Sequence, residues 1–193
     1  EPDGNGAPYT TFTFQVEDDG GTANGGANLD PTPNTLTINI APVNDAPAGA
    51  NGSVATLEDT GYPFHLADFG FSDPRDIPAN ALNRVKITTL PVKGGLTLDA
   101  IPVTAGQFIS AADIAAGRLV FHPAANAYGT PYTSFTFQVE DAGGTVKGGL
   151  NLDPTPDTLT VHVTQVNDPP DGTDKTIVLF LFFLGLFGFY AVS

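Results

Sequence analysis

Hydrophobic and polar residues alternate along several short stretches of this chain. Phe135, Phe137 and Val139 are separated by polar residues, so one face of an extended segment can enter a core while the other meets water. The same alternation, or a similar strand-forming composition, recurs in residues 12–16, 85–88, 119–122 and 158–164. The pattern predicts an all-β protein.

Glycine and proline separate the predicted strands. Gly94-Gly95 and Gly143-Gly144 favour tight turns, because glycine adopts positive φ without strain. Residues 110–117 carry the one helical signal, with Ser110 placed to cap a single turn and Gly117 placed to end it. About seven short strands in roughly 120 residues predict a Greek-key β-sandwich.

A long internal repeat organises the chain. Residues 8–47 align without a gap with residues 131–170, at an offset of 123 residues, and 28 of the 40 aligned positions are identical. Glycine, proline and asparagine match in place, which indicates duplication rather than shared strand character. We therefore expect three parts, namely the C-terminal part of one repeat (1–47), a complete repeat (48–170), and a linker with a hydrophobic tail (171–193).

Composition narrows the classes of partner. There is no cysteine, so neither a disulfide framework nor a thiolate metal site can hold the fold. The net charge of -14 repels phosphate backbones, which argues against a nucleic-acid partner. The same excess of carboxylates suits hard divalent cations, which prefer oxygen ligands.

The segments Leu57-Glu58-Asp59-Thr60, Phe71-Ser72-Asp73-Pro74 and Val166-Asn167-Asp168 resemble the cadherin-like tandem repeats of large bacterial surface adhesins. Residues 108–119 are also similar to the related repeats of chondroitin sulfate proteoglycans. The resemblance implies a cadherin-like, immunoglobulin-like sandwich, repeated end to end in an extracellular or cell-surface protein. Its partners would be neighbouring repeats and an unknown surface protein or glycan ligand.

The resemblance also implies calcium at the joints between repeats. Calcium takes six to eight oxygen ligands, so a site needs several acidic or amide side chains in one place. The positions that match the family's ligands are Asp18, Asn44, Asp45, Glu58, Asp73, Asp76, Asn80, Asp141, Asn167 and Asp168.

These candidate ligands divide between two joints. At the joint near Asn44, we expect Asp18 beside the linker and the lower-repeat residues, without a counterpart of Glu58. At the joint near Asn167, we expect Glu58 and Asp141 beside the linker, without a following repeat. Each joint would hold half a site, so calcium is expected to bind this chain more weakly than a longer array.

The acidic residues also fit simpler roles. Charged strand ends protect sheet edges against aggregation, and an Asn-Asp pair before proline is a common turn. Asp30 and Asp153, each between leucine and proline, are interpreted as turn formers.

No catalytic motif is visible, so the chain is not expected to be an enzyme. Neighbouring acidic residues on a strand point to opposite faces, which argues against paired glycosidase carboxylates. A carbohydrate-binding sandwich is the alternative function. It is less favoured because the chain has no tryptophan and only 5 tyrosines.

Residues 177–192 are uninterruptedly apolar. A helix of this length would be about 24 Å long, somewhat short of the roughly 30 Å hydrocarbon layer. We favour a C-terminal hydrophobic helix that contacts or anchors to the membrane. A frameshifted or misjoined end would produce the same pattern.

Overall fold

The computed structural model describes residues 3–169 and residue 172. That part of the chain forms eleven strands and one short α-helix. The elements are β1 (Gly6–Phe14), β2 (Asn34–Ile40), β3 (Gly52–Leu57), β4 (Tyr62–Pro63), β5 (Leu82–Ile87), β6 (Gly95–Leu98), β7 (Ile101–Pro102), β8 (Phe108–Ser110), α1 (Ala111–Ala115), β9 (Leu119–His122), β10 (Gly129–Asp141) and β11 (Asp157–Thr164).

Nine of these strands form a two-layered sandwich. One sheet has the order β3-β11-β10-β5-β8, and the other has the order β4-β9-β6-β7. β10 pairs antiparallel with β11 and with β5, whereas β3 pairs parallel with β11. The starts of β3, β5 and β11 and the end of β10 therefore meet at one end of the sandwich, which we call the upper end. The predicted all-β Greek-key sandwich is confirmed.

The core lies between the two sheets and is rich in phenylalanine. Phe135 and Phe137, which the alternating pattern assigned to the inner face, are 1% and 0% exposed. The Phe64 ring meets Phe135 edge-on at 5.7 Å between centroids, and Phe69 meets Phe137 at 5.0 Å. Edge-to-face packing of this kind adds to the stability gained from burial alone.

The short helix α1 forms where the sequence predicts it. The Ser110 hydroxyl accepts a hydrogen bond from the Asp113 amide at 3.0 Å, which caps the helix. Gly117 adopts a φ of 69° and ends the helical segment, as expected of glycine at this position. The side chain of Ile114 is 1% exposed and packs the helix against the core.

The first partial repeat forms a separate hairpin of β1 and β2. Its register, with Phe12 opposite Leu36, is the register of β10 and β11 displaced by 123 residues. Phe14 is 40% exposed, whereas its counterpart Phe137 is buried. Within residues 3–169 these two strands pair only with each other, so the hairpin adds no strand to either sheet of the sandwich.

Candidate metal centre at the upper end of the sandwich

Three carboxylates meet at the upper end of the sandwich. Asp141 is the last residue of β10, and Asp73 and Asp76 lie in the loop that leads to β5. Each offers an oxygen, and the three oxygens lie within 4.8 Å of one another. Asp141 is fully buried and Asp73 is 6% exposed. Three negative groups at this distance repel one another unless a cation or a proton lies between them.

Backbone amides hold these carboxylates in place. The Asn80 amide donates to Asp73 at 2.6 Å, and the Gly143 amide donates to Asp141 at 2.8 Å. The Asp45 amide donates to Asp76 at 3.1 Å, which ties the linker to the loop. Asp73 Oδ1, the other oxygen of its carboxylate, is buried and has no hydrogen-bond partner. A buried anionic oxygen without a partner is costly, and a bound cation would remove that cost.

The linker side chain Asn44 lies against the same cluster. Its Nδ2 donates to the Leu150 carbonyl at 2.6 Å and to the two Asp141 oxygens at 3.1 and 3.2 Å. Its Oδ1 accepts from Asn80 Nδ2 at 2.7 Å. The linker is therefore attached to the complete repeat by side-chain hydrogen bonds as well as by the chain itself.

The pKa of Asp141 reflects its burial and the two carboxylates beside it. Burial raises the pKa of its carboxyl group, and the negative charges of Asp73 and Asp76 raise it further. The hydrogen bonds from Gly143 and Asn44 act in the opposite direction without cancelling the rise. A positive charge in the cluster would favour the ionised form of Asp141.

Six of the predicted ligands come together at the upper end: Asn44, Asp45, Asp73, Asp76, Asn80 and Asp141. The expectation that Asp141 lies beside Glu58 is wrong. β10 runs antiparallel to β11, whereas β3 runs parallel to it, so the end of β10 and the end of β3 lie at opposite ends of the sandwich.

The expectation that Asp18 lies at the joint near Asn44 is also wrong. Asp18 follows β1 and is linked to Asn28 just before β2, at the tip of the hairpin. Asn44 follows the far end of β2. The length of a seven-residue strand, about 23 Å, therefore separates the two residues.

The remaining candidate ligands, Glu58, Asn167 and Asp168, lie at the opposite end of the sandwich, where β11 ends; we call it the lower end. Glu58 is 4% exposed and accepts a hydrogen bond from the Val166 amide at 2.6 Å, so it lies next to the second linker. Asn167 is exposed, and within residues 3–169 its side chain donates only to the Asp168 carbonyl, at 3.4 Å. The upper-end contacts of Asn44 have no counterpart around Asn167 in the described part of the chain.

Two glycines are part of the site, although the sequence predicted only turns for this region. A Cβ on Gly143 would collide with the Asn44 carboxamide oxygen, and a Cβ on Gly149 would lie 3.0 Å from the Asn44 Cβ. Close approach of the linker thus requires glycine at Gly143. The signal available in the sequence was the recurrence of both positions as Gly20 and Gly26.

No helix within residues 3–169 is long and apolar enough to cross a membrane. The apolar segment 177–192, and with it the predicted C-terminal helix, lies outside the described residues.

Comparison with known proteins places this sandwich in a family. Residues 44–153 match the family model described as Bacterial Ig domain. No curated protein and no solved structure matches the chain. The matched stretch covers more than half of the 193 residues and runs from the linker residue Asn44 to Asp153, just before β11. The immunoglobulin-like sandwich seen in the structure agrees with this match, and the chain therefore belongs to the bacterial Ig domain family.

Proposed function

We propose that the chain is an extracellular structural or adhesive repeat module of the cadherin-like type, in which calcium stiffens the joint between consecutive repeats. The observation that carries the proposal is the buried Asp73 Oδ1, which has no partner and lies in a cluster with Asp76 and Asp141. The role is mechanical and does not require catalysis.

The donor set of the cluster fits calcium. All of the groups offered by Asp73, Asp76 and Asp141 are carboxylate oxygens, which are the hard ligands that calcium prefers. The carboxamide groups of Asn44 and Asn80 lie next to the cluster, with Asn44 Nδ2 directed to Asp141 and Asn44 Oδ1 directed to Asn80. A turn of the Asn44 carboxamide would add its oxygen to the ligand set. The described residues place no histidine in the cluster, which argues against zinc or copper.

A cation at this position would act on the linker. The linker residues Asn44 and Asp45 already contact the loop and strand that carry the three carboxylates. A calcium ion bound by both the linker and the sandwich would add ionic contacts that are stronger than the present hydrogen bonds between them. Successive repeats would then keep a fixed relative orientation, which is what a surface filament needs in order to extend.

Thermal unfolding in calcium and in chelator tests the proposal. Binding to the folded state alone stabilises it by about 2.7 kcal/mol when calcium is present at 100 times its dissociation constant. We expect the wild-type chain to melt at a clearly higher temperature in calcium, and Asp73→Asn to lose most of this increase. Asp99→Asn is the matched control. It also removes one negative charge, but the Asp99 side chain is 59% exposed and lies beside Arg118 instead of in the cluster. A melting temperature that calcium does not change would refute the calcium-stiffened joint.

Calorimetric titration tests the role of neighbouring repeats. In a tandem of two copies of residues 48–170, Glu58 and the Asn167-Asp168 pair of the first copy precede the Asp73 cluster of the second. We expect calcium to bind such a tandem more tightly than it binds the present chain. Equal affinity would show that the preceding repeat contributes no ligand.

The partners proposed for this module follow from its role. Neighbouring repeats are the first, since the linker contacts are made at the end where a preceding repeat would lie. A surface protein or glycan is the second, as an adhesive role requires. We also propose membrane contact through residues 177–192, which a vesicle-flotation comparison with a chain ending at residue 172 would test.

A further inference from the structure

A second pair of carboxyl groups lies at the start of β11, apart from the metal cluster. Asp153 is 3% exposed, and its Oδ1 accepts from the Thr155 amide at 2.9 Å. Its Oδ2 accepts from the Gly49 amide at 2.7 Å. The Asp157 carboxyl lies next to that of Asp153, because a Cβ placed on Gly49 would be 2.6 Å from Asp157 Oδ2 and 3.4 Å from Asp153 Oδ2. This position lets the two carboxyl groups share a hydrogen bond. Two acidic side chains can share a hydrogen bond only if one of them carries a proton.

The partial repeat contains part of the same network, and it carries a different residue at the position of Asp157. Asp30, the counterpart of Asp153, accepts from the Thr32 amide at 3.0 Å, just as Asp153 accepts from Thr155. The position of Asp157 is occupied by Asn34, whose Nδ2 donates to Asp30 Oδ2 at 2.6 Å. An asparagine always has this hydrogen to donate, whereas an aspartate has one only when it is protonated.

Within the described part of the chain, no positively charged side chain forms an ion pair with Asp153 or Asp157. Burial and the charge of Asp153 both raise the pKa of the Asp157 carboxyl. The neighbouring groups on β10, on the segment before β3 and in the turn before β11 are uncharged, and they are Phe137, Gln138, Gly49, Asn51 and Thr155.

We propose that Asp153 and Asp157 hold one proton between them at mildly acidic pH, with Asp157 as the donor, and that its loss toward neutral pH makes this corner of the sandwich a pH-sensitive element. The sign follows from the two states of the chain. In the unfolded chain Asp157 ionises at an ordinary pH of about 3.9, whereas in the folded chain it keeps its proton to higher pH. The pair therefore contributes stability at low pH and loses it as pH rises through the folded-state value.

Asp157→Asn in the full chain, in calcium-free buffer, tests the inference. The substitution installs the side chain that the partial repeat carries at Asn34. We expect it to raise the melting temperature by a few degrees at pH 7.5 and by less toward pH 4, because a larger fraction of Asp157 carries its proton as pH falls. The exposed variant Asp99→Asn removes the same charge and should show no such dependence on pH.

Carbon-detected NMR titration of the carboxyl groups supplies an independent measurement. We expect Asp157 to titrate above the ordinary aspartate range in the wild-type chain and to return toward that range in Asp153→Asn. An ordinary titration of Asp157 in the wild-type chain would overturn the proposal. So would a stability difference between Asp157→Asn and wild type that is the same at both pH values.

Discussion

Replacing Asn44 by alanine should detach the linker from the sandwich in calcium-free solution. The Asn44 amide nitrogen has two hydrogens, one directed to the Leu150 carbonyl and one shared between the two Asp141 oxygens. Its oxygen accepts a third hydrogen bond, from Asn80. Alanine keeps the backbone intact and removes all three interactions.

The magnitude follows from the kind of hydrogen bond. The bonds with Leu150 and Asn80 are neutral and contribute about 0.5–1.5 kcal/mol each, whereas a bond to a charged group contributes about 1.5–3 kcal/mol. Asn44 is only partly buried, so water partly replaces the lost partners and the low end of these ranges applies. We expect Asn44→Ala to lower the free energy of unfolding by about 2–3 kcal/mol. The melting temperature should fall by about 8–12 °C, at about 4 °C per kcal/mol for a domain of this size.

The assay is urea unfolding and thermal melting in chelator, with Asn167→Ala as the internal control. Asn167 occupies the equivalent position after the complete repeat, and among the described residues its side chain makes one long hydrogen bond, to Asp168. We expect that control to remain within about 0.5 kcal/mol of wild type, as exposed substitutions usually do. Equal effects of the two substitutions would refute the inference that the linker docks before calcium binds.

Three further predictions concern the sandwich itself. Phe137→Ala should lower the free energy of unfolding by about 3–5 kcal/mol, because its ring is buried, whereas Phe14→Ala should lower it by less than about 0.5 kcal/mol, because the equivalent ring is 40% exposed. Similar effects of the two substitutions in urea unfolding would mean that the hairpin is packed against other residues. Arg84→Ala should lower the free energy of unfolding by about 2 kcal/mol, since it removes the hydrogen bonds of 2.7–2.9 Å to the buried Glu140. Adding Glu140→Gln should recover part of this loss, and purely additive effects of the two substitutions would contradict the pairing. In chelator, the folded state should lose stability as pH rises through the raised pKa of Asp141. Asp141→Asn should weaken this dependence of the melting temperature on pH between pH 4 and 7.5. An unchanged dependence would argue that the carboxylate cluster is not its cause.

The sequence was sufficient to predict the strands, because burial on one face of a sheet leaves a period of two in the chain. Phe135 and Phe137 follow that period and lie in the core, and the cap at Ser110 depends only on residues next to it. The hairpin shows the limit of this reasoning. Phe14 has the same local pattern as Phe137, yet it is exposed because no second sheet covers it.

The candidate site was predicted in its residue types but not in its grouping. Ligand identity is a local property, whereas the end of the sandwich at which a strand finishes depends on its direction relative to every other strand. Asp141 and Glu58 both end strands of the same sheet, and the antiparallel course of β10 separates them. Gly143 was interpreted as a turn residue because the side chain that approaches it, Asn44, is 99 positions away in sequence.

The parallel pairing of β3 with β11 determines how the module responds to tension. The chain enters the sandwich at the start of β3 and leaves it at the end of β11, and the two strands are paired from Gly52 opposite Leu159 to Leu57 opposite Thr164. A force that pulls the linkers apart acts along these strands in opposite directions. It loads the whole ladder in shear, so its hydrogen bonds must break together rather than one after another. In the tandem array proposed above, such a module would resist extension most strongly along the axis that joins its two linkers.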